Sequence, residues 1–149
     1  MDDKQRYFLF DCLAEEVDGM DVELSSPIVP KVAALCAQRK RTLVVSVHDF
    51  KKTPPDSALS AWLKKAKAAK ADIIKIACQV ASLEDALRLL AVAHRNRKIP
   101  LVVVPMGDLA RSLRPLAPLF GSRWAYAYLD APTAPGQHSL SDFRDIARK

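Results

Sequence analysis

Five short apolar runs, at 20–24, 42–47, 72–77, 100–104 and 124–129, recur about every 26 residues, and the stretches between them carry helical spacing. Strands separated by helices cannot close tight hairpins, so this order calls for parallel pairing with crossover helices. The helical stretches are read at 28–38, 57–70, 82–95, 109–120 and 141–148, and one more, at 4–17, precedes the first run. Pro27 is placed to open the first crossover helix. Ser82 and Asp85 have the spacing of a capping pair at the start of the third. The fold class is therefore α/β, with one helix followed by five βα units. Glycine placement agrees: Gly19 precedes the first run, Gly107 and Gly136 lie beyond strand ends, and Gly121 follows a helix.

Half of the 149 residues are apolar and 27% are charged, which describes one folded domain rather than a disordered chain. No apolar run reaches the roughly 20 residues of a membrane span. The start, Met-Asp-Asp-Lys-Gln, lacks the apolar segment of a secretory signal, so a cytoplasmic location is expected and no membrane partner. Cys12, Cys36 and Cys78 lie in apolar segments without C-x-x-C spacing and are read as free thiols, not disulfides or zinc ligands. His94 and His138 have no ligand-spaced partners, so no metal site is expected. Glycine-rich nucleotide-binding motifs are missing. The net charge is +6, but Lys64, Lys65, Lys67 and Lys70 have the spacing of a solvated helix face without interleaved aromatics. Nucleic acid is not an expected partner.

Polar residues inside the strand runs are the informative exceptions, because strands covered by helices on both faces should be nearly all apolar. Alternation puts Met20, Val22 and Leu24 on one face of the first run and Asp21 and Glu23 on the other. The second run sets Leu43, Val45 and Val47 against Val44, Ser46 and His48. In the third, Ile74 and Ile76 oppose Lys75. Asp21, Glu23, Ser46, His48 and Lys75 are thus expected to converge on a common interior. A lysine held there is either paired with Asp21 or Glu23, or loses its proton and becomes an amine able to attack a carbonyl. His48, at the carboxyl end of its strand, is either an acid-base group or a hydrogen-bonded structural histidine. Asp21 and Glu23 either support these two groups or serve structure alone.

Several motifs resemble those of type I 3-dehydroquinate dehydratases. They are Asp21-Val22-Glu23-Leu24, Ser46-Val47-His48-Asp49-Phe50, Lys52-Thr53-Pro54, Ala71-Asp72-Ile73-Ile74-Lys75-Ile76-Ala77, Met106-Gly107-Asp108-Leu109 with Arg111 and Arg114, Phe120-Gly121-Ser122, and Ala134-Pro135-Gly136-Gln137. The resemblance runs along essentially the whole chain. It implies a (β/α)8 TIM-barrel lyase of the shikimate pathway that dehydrates 3-dehydroquinate to 3-dehydroshikimate without a metal or organic cofactor. By the same resemblance Lys75 forms an imine with the substrate ketone, and His48 is the general base and then acid. Arg114 holds the substrate carboxylate, and Gln137 contacts substrate from a closing loop. Thr133 stands at a position usually held by serine, and Asp21, Glu23 and Ser46 lie behind the reacting groups. Val47, Pro105 and Leu113 depart from the residues usual in the family.

The resemblance also implies three upstream strands, carrying a Glu-x-Arg pair and an arginine with a Glu-Gly-Gly sequence, that lie outside these 149 residues. A complete barrel takes about 250 residues. About five parallel strands of a partial barrel are expected here, with open edges covered by a complementing chain or by self-association. Two functional expectations follow: a Schiff-base dehydratase, or an impaired remnant or subunit needing a partner that supplies the first strands.

Overall fold

In a computed structural model, which describes residues 1–133 and 136–147, helices and strands alternate from the first turn. The order is α1 (Asp3–Leu13), β1 (Gly19–Glu23), α2 (Val29–Arg39), β2 (Thr42–Asp49), α3 (Asp56–Ala68), β3 (Ile73–Gln79), α4 (Leu83–Arg95) and β4 (Leu101–Met106). A run of 3₁₀ turns, Asp108–Phe120, follows, then β5 (Ala127–Tyr128), β6 (His138–Ser139) and α5 (Leu140–Ala147). Strands β1 to β4 form one parallel sheet in chain order, and β5 pairs with β6 in a separate two-stranded sheet. The α/β class read from the periodicity is the one observed. No described helix is long and apolar enough to cross a membrane.

The chain divides into two compact units, residues 1–47 with 60–75, and residues 48–59 with 76–149. In the first, β1 pairs with β2 from Gly19↔Thr42 to Glu23↔Ser46. Met20, Val22, Leu43 and Val45 point into the core, as alternation requires, and α2 packs on β1 through a face that includes the buried Val32 and Leu35. Asp72 ties the start of β3 to β2 twice, since its N–H donates to the Leu43 carbonyl at 2.9 Å and its carboxylate accepts the Leu43 N–H at 2.8 Å. In the second unit, α4 buries Ala86, Leu89, Leu90 and Ala93 and packs on β4 and the 3₁₀ segment. The Ser82 hydroxyl accepts the Asp85 N–H at 3.2 Å, which is the capping contact expected from their spacing.

Several boundaries differ from the sequence reading. The helix expected at 4–17 spans Asp3–Leu13: a capping box between Asp2 and Gln5 starts it, the chain turns over Ala14, and Arg41 Nε holds the Ala14 carbonyl at 2.7 Å. Pro27 does not open α2; Ile28 is its N-cap and Pro30 occupies the first turn, where a missing N–H costs nothing. Helix α3 stops short of the expected end, and Lys70 beyond it adopts a left-handed conformation (φ 61°). The lysines Lys64, Lys65, Lys67 and Lys70 are exposed. The stretch at 109–120 winds as 3₁₀ turns because Pro115 and Pro118 lack the N–H groups that an α-helical ladder would use.

The fifth apolar run is not a fifth strand of the main sheet. Arg123 N–H reaches the Leu101 carbonyl at 2.7 Å, but the next step is taken over by a side chain. Ser122 Oγ accepts the Val103 N–H at 3.1 Å and donates to the Trp124 carbonyl at 2.9 Å, so a hydroxyl stands where a strand backbone would pair. Only Ala127–Tyr128 remain extended and paired, with His138–Ser139. The last helix was expected to reach Arg148, which lies outside the described residues.

Gly107 follows β4 with φ 96° and ψ 170°, a conformation essentially reserved for glycine, and a Cβ there would strike the Gln79 side-chain amide. Gly107→Ala is expected to destabilise the protein by about 1–3 kcal/mol in urea unfolding. An unchanged midpoint would show that the backbone relaxes freely at this position.

Cys36 and Cys78 are buried and Cys12 is exposed; all three are free. Burial first, and then the Asp49 carboxylate, push the Cys78 thiol up to about 12 from an ordinary 9.0. Burial and Asp72 also raise Cys36. Between pH 9 and about 12 the unfolded chain releases the Cys78 proton while the folded chain keeps it, so stability falls as pH rises through that window. In the native protein at pH 8 a thiol reagent should label Cys12 alone, with Cys36 and Cys78 reacting on unfolding. Rapid native labelling of Cys78 would contradict this burial.

Candidate active site

On the first unit, the polar face of β1 and β2 carries two linked side-chain pairs. The register sets Glu23 beside Ser46, and Ser46 Oγ donates to Glu23 Oε2 at 3.4 Å, a long contact. Lys75, on β3, donates from Nζ to Asp21 Oδ2 at 3.0 Å. The lysine side chain is 16% exposed and the aspartate 41%, so the amine is sheltered while its counter-ion reaches solvent. Pairing with Asp21, one of the arrangements that the sequence left open for Lys75, is present. Asp21 is placed to meet it because alternation along β1 turns Met20 and Val22 inward and Asp21 the other way.

On the second unit, His48 sits at the carboxyl end of β2, half-buried, with its imidazole stacked on the Phe50 ring at 5.7 Å and 8°. Thr53, from the Lys-Thr-Pro motif, donates from Oγ1 to the Gln79 carbonyl at 2.9 Å and so ties the loop after β2 to the end of β3. Val80 N–H donates to the Met106 carbonyl at 2.9 Å, joining the ends of β3 and β4. Arg114 is buried in the 3₁₀ segment, and its Nε donates to the Pro105 carbonyl at 2.6 Å. Removal from water lowers the guanidinium pKa from its ordinary value, and it remains a cation. One edge of the planar fork is fixed by that carbonyl, which sets the plane of the whole group.

Thr133 and Gln137 face one another: the Thr133 N–H and Oγ1 donate to Gln137 Oε1 at 2.8 and 3.0 Å. Between them, Ala134 and Pro135 of the expected loop motif lie outside the described residues. Gly136 has φ 72°, and a Cβ on it would lie 2.6 Å from the Gly107 carbonyl oxygen. The structure thus brings Lys75 to Asp21, Ser46 to Glu23 and Thr133 to Gln137. Lys75 belongs to the first unit, and His48 and Arg114 belong to the second. Sequence reasoning gave no role to His138, which is 8% exposed and donates from Nε2 to the Arg111 carbonyl at 2.8 Å. No signal in the sequence marked it, since its partner lies 27 residues away along the chain.

With this geometry established, three comparisons bear on the chain. The sequence model of the family described as type I 3-dehydroquinase matches residues 1–148. A 3-dehydroquinate dehydratase of Hydrogenobaculum sp. is 35% identical over 140 residues, covering 93% of this chain and 64% of that protein. One from Geobacillus thermodenitrificans is 34% identical over 149 residues, covering 97% of this chain and 58% of that protein. Among solved structures, the 3-dehydroquinate dehydratase of Geobacillus kaustophilus matches with a TM-score of 0.93 and 30% identity, covering 99% of this chain and 60% of that one. The enzyme from Aquifex aeolicus matches with a TM-score of 0.86 and 30% identity, covering 99% of this chain and 67% of that one. These neighbours are TIM-barrel structures. The chain spans about three-fifths of the length of the curated relatives it matches.

Proposed function

This chain belongs to the type I 3-dehydroquinase family, and on that premise we propose that its 149 residues act as one functional domain of a 3-dehydroquinate dehydratase. The reaction is the loss of water from 3-dehydroquinate to give 3-dehydroshikimate, a cytoplasmic step of the shikimate pathway. Lys75 is the observation that carries the proposal: a sheltered amine on a largely apolar strand, bonded to the Asp21 carboxylate, which reaches solvent.

The chemistry follows from what such an amine can do. After releasing its proton and its pairing to Asp21, the Lys75 amine adds to the substrate ketone, and water leaves as the imine forms. His48 takes a proton from the adjacent carbon, and the electron pair passes into the imine to give an enamine. The enamine expels the hydroxyl on the next carbon, which departs as water with the proton that His48 returns. A second water hydrolyses the imine and restores Lys75, so the net change is one water lost from the substrate. The imine itself is the electron sink, and the scheme uses no metal or organic cofactor. Arg114 pairs with the substrate carboxylate, where a guanidinium plane fixed by Pro105 suits a two-oxygen partner. Thr133 and Gln137 contact substrate, and Asp21, Glu23 and Ser46 hold the polar face in register.

A second reading is supported by the chain's share of its relatives and by β1 and β4 standing at the edges of the four-stranded sheet. In it the domain needs further strands for turnover, from a longer polypeptide, a complementing chain or self-association.

Borohydride added with 3-dehydroquinate should leave a reduced covalent adduct on Lys75, read by peptide mass, and Lys75→Ala should leave none. No adduct on the unaltered chain would sink the imine mechanism, whereas an adduct without turnover would favour the second reading. Arg114→Lys should raise KM for 3-dehydroquinate by about tenfold or more, with a smaller change in kcat, because an ammonium loses the fork geometry. A KM left unchanged would remove Arg114 from carboxylate binding.

A further inference from the structure

On the 3₁₀ segment carrying Arg114, the Arg111 carbonyl lacks the donor that an α-helix would offer four residues on. In an α-helix the Arg111 carbonyl would accept the N–H of residue 115, but that residue is Pro115. His138 Nε2 lies 2.8 Å from this carbonyl oxygen. A carbonyl can only accept, so the imidazole carries its proton on Nε2. The ring is 8% exposed, and Phe143 of α5 meets it edge-on at 6.1 Å, which restricts its rotation.

We infer that His138 is a positioning residue, which fixes Gln137 and Thr133 in relation to the turn that presents Arg114. Gln137 is the residue immediately before His138, and Arg111 lies one 3₁₀ turn before Arg114. The Gly136 backbone rests against the Gly107 carbonyl on the other side, so this stretch is pinned at two points. The hydroxyl and amide of Thr133 are then set by their bonds to Gln137 Oε1. His138 itself makes no contact with substrate in this scheme. Its effect passes through Gln137, Thr133 and Arg114, and in that respect the inference rests on the dehydratase reading.

The test compares His138→Leu, which removes the donor, with His138→Gln, whose amide can donate from nearly the same distance along the side chain. In His138→Leu, amide exchange at Thr133, whose N–H donates to Gln137 Oε1, should quicken by about tenfold, the scale of one lost hydrogen bond, while exchange along β3 stays unchanged. KM for 3-dehydroquinate should rise by a similar factor with kcat nearly constant, and His138→Gln should restore both. Unchanged exchange at Thr133 would overturn the inference, as would faster exchange with no change in KM. Equal loss of protection along β3 would also overturn it, by showing a general loss of stability. If the unaltered chain gives neither adduct nor turnover, the dehydratase reading fails, and the exchange result alone decides whether His138 anchors this stretch.

Discussion

Parallel pairing is the constraint on which the remaining features depend. In a parallel sheet the carboxyl ends of successive strands fall on one edge, and the loops leaving that edge supply functional groups. One compact unit of this chain contains the ends of β2, β3 and β4, with His48, Gln79 and Met106 at them. Each contact made there uses at least one backbone group: Val80 to Met106, Thr53 to the Gln79 carbonyl, and Gly107 against the Gln79 side-chain amide. Glycines are used where chains press together and φ is positive, which is why Gly107 and Gly136 sit where they do.

Polar groups are kept inside a largely apolar body by specific partners. Sheltering an ammonium or guanidinium from water without partners is costly, and both the half-buried Lys75 and the buried Arg114 have a specific acceptor. Lys75 has Asp21 and Arg114 has the Pro105 carbonyl. The two solutions have different chemical consequences. On the proposed function, a carboxylate that reaches solvent releases the lysine to react, whereas a backbone carbonyl fixes the plane of a guanidinium that binds.

Much of this was legible in the residues. The spacing of the apolar runs led to the correct α/β class, and alternation correctly separated Met20 and Val22 from Asp21, and Leu43 and Val45 from the opposite face. Ser82 caps α4 as its spacing suggested. The run at 124–129 misled because its apolar pattern says nothing of a competing hydroxyl, and Ser122 takes the backbone partners that a fifth strand needed. Pro27 misled because two prolines stood near the helix start, and helix entry was set at Ile28. His138 was overlooked because its partner, the Arg111 carbonyl, lies 27 residues away along the chain.

By itself the sequence determined the order of elements, the chemistry available on each strand face and the family to which the chain belongs, because these depend on residue type and on spacing along a strand or helix. Tertiary structure decided which partner each polar group takes: Asp21 for Lys75, the Pro105 carbonyl for Arg114, the Arg111 carbonyl for His138. Such choices turn on distances of about 3 Å between atoms remote in sequence, a scale that periodicity does not carry.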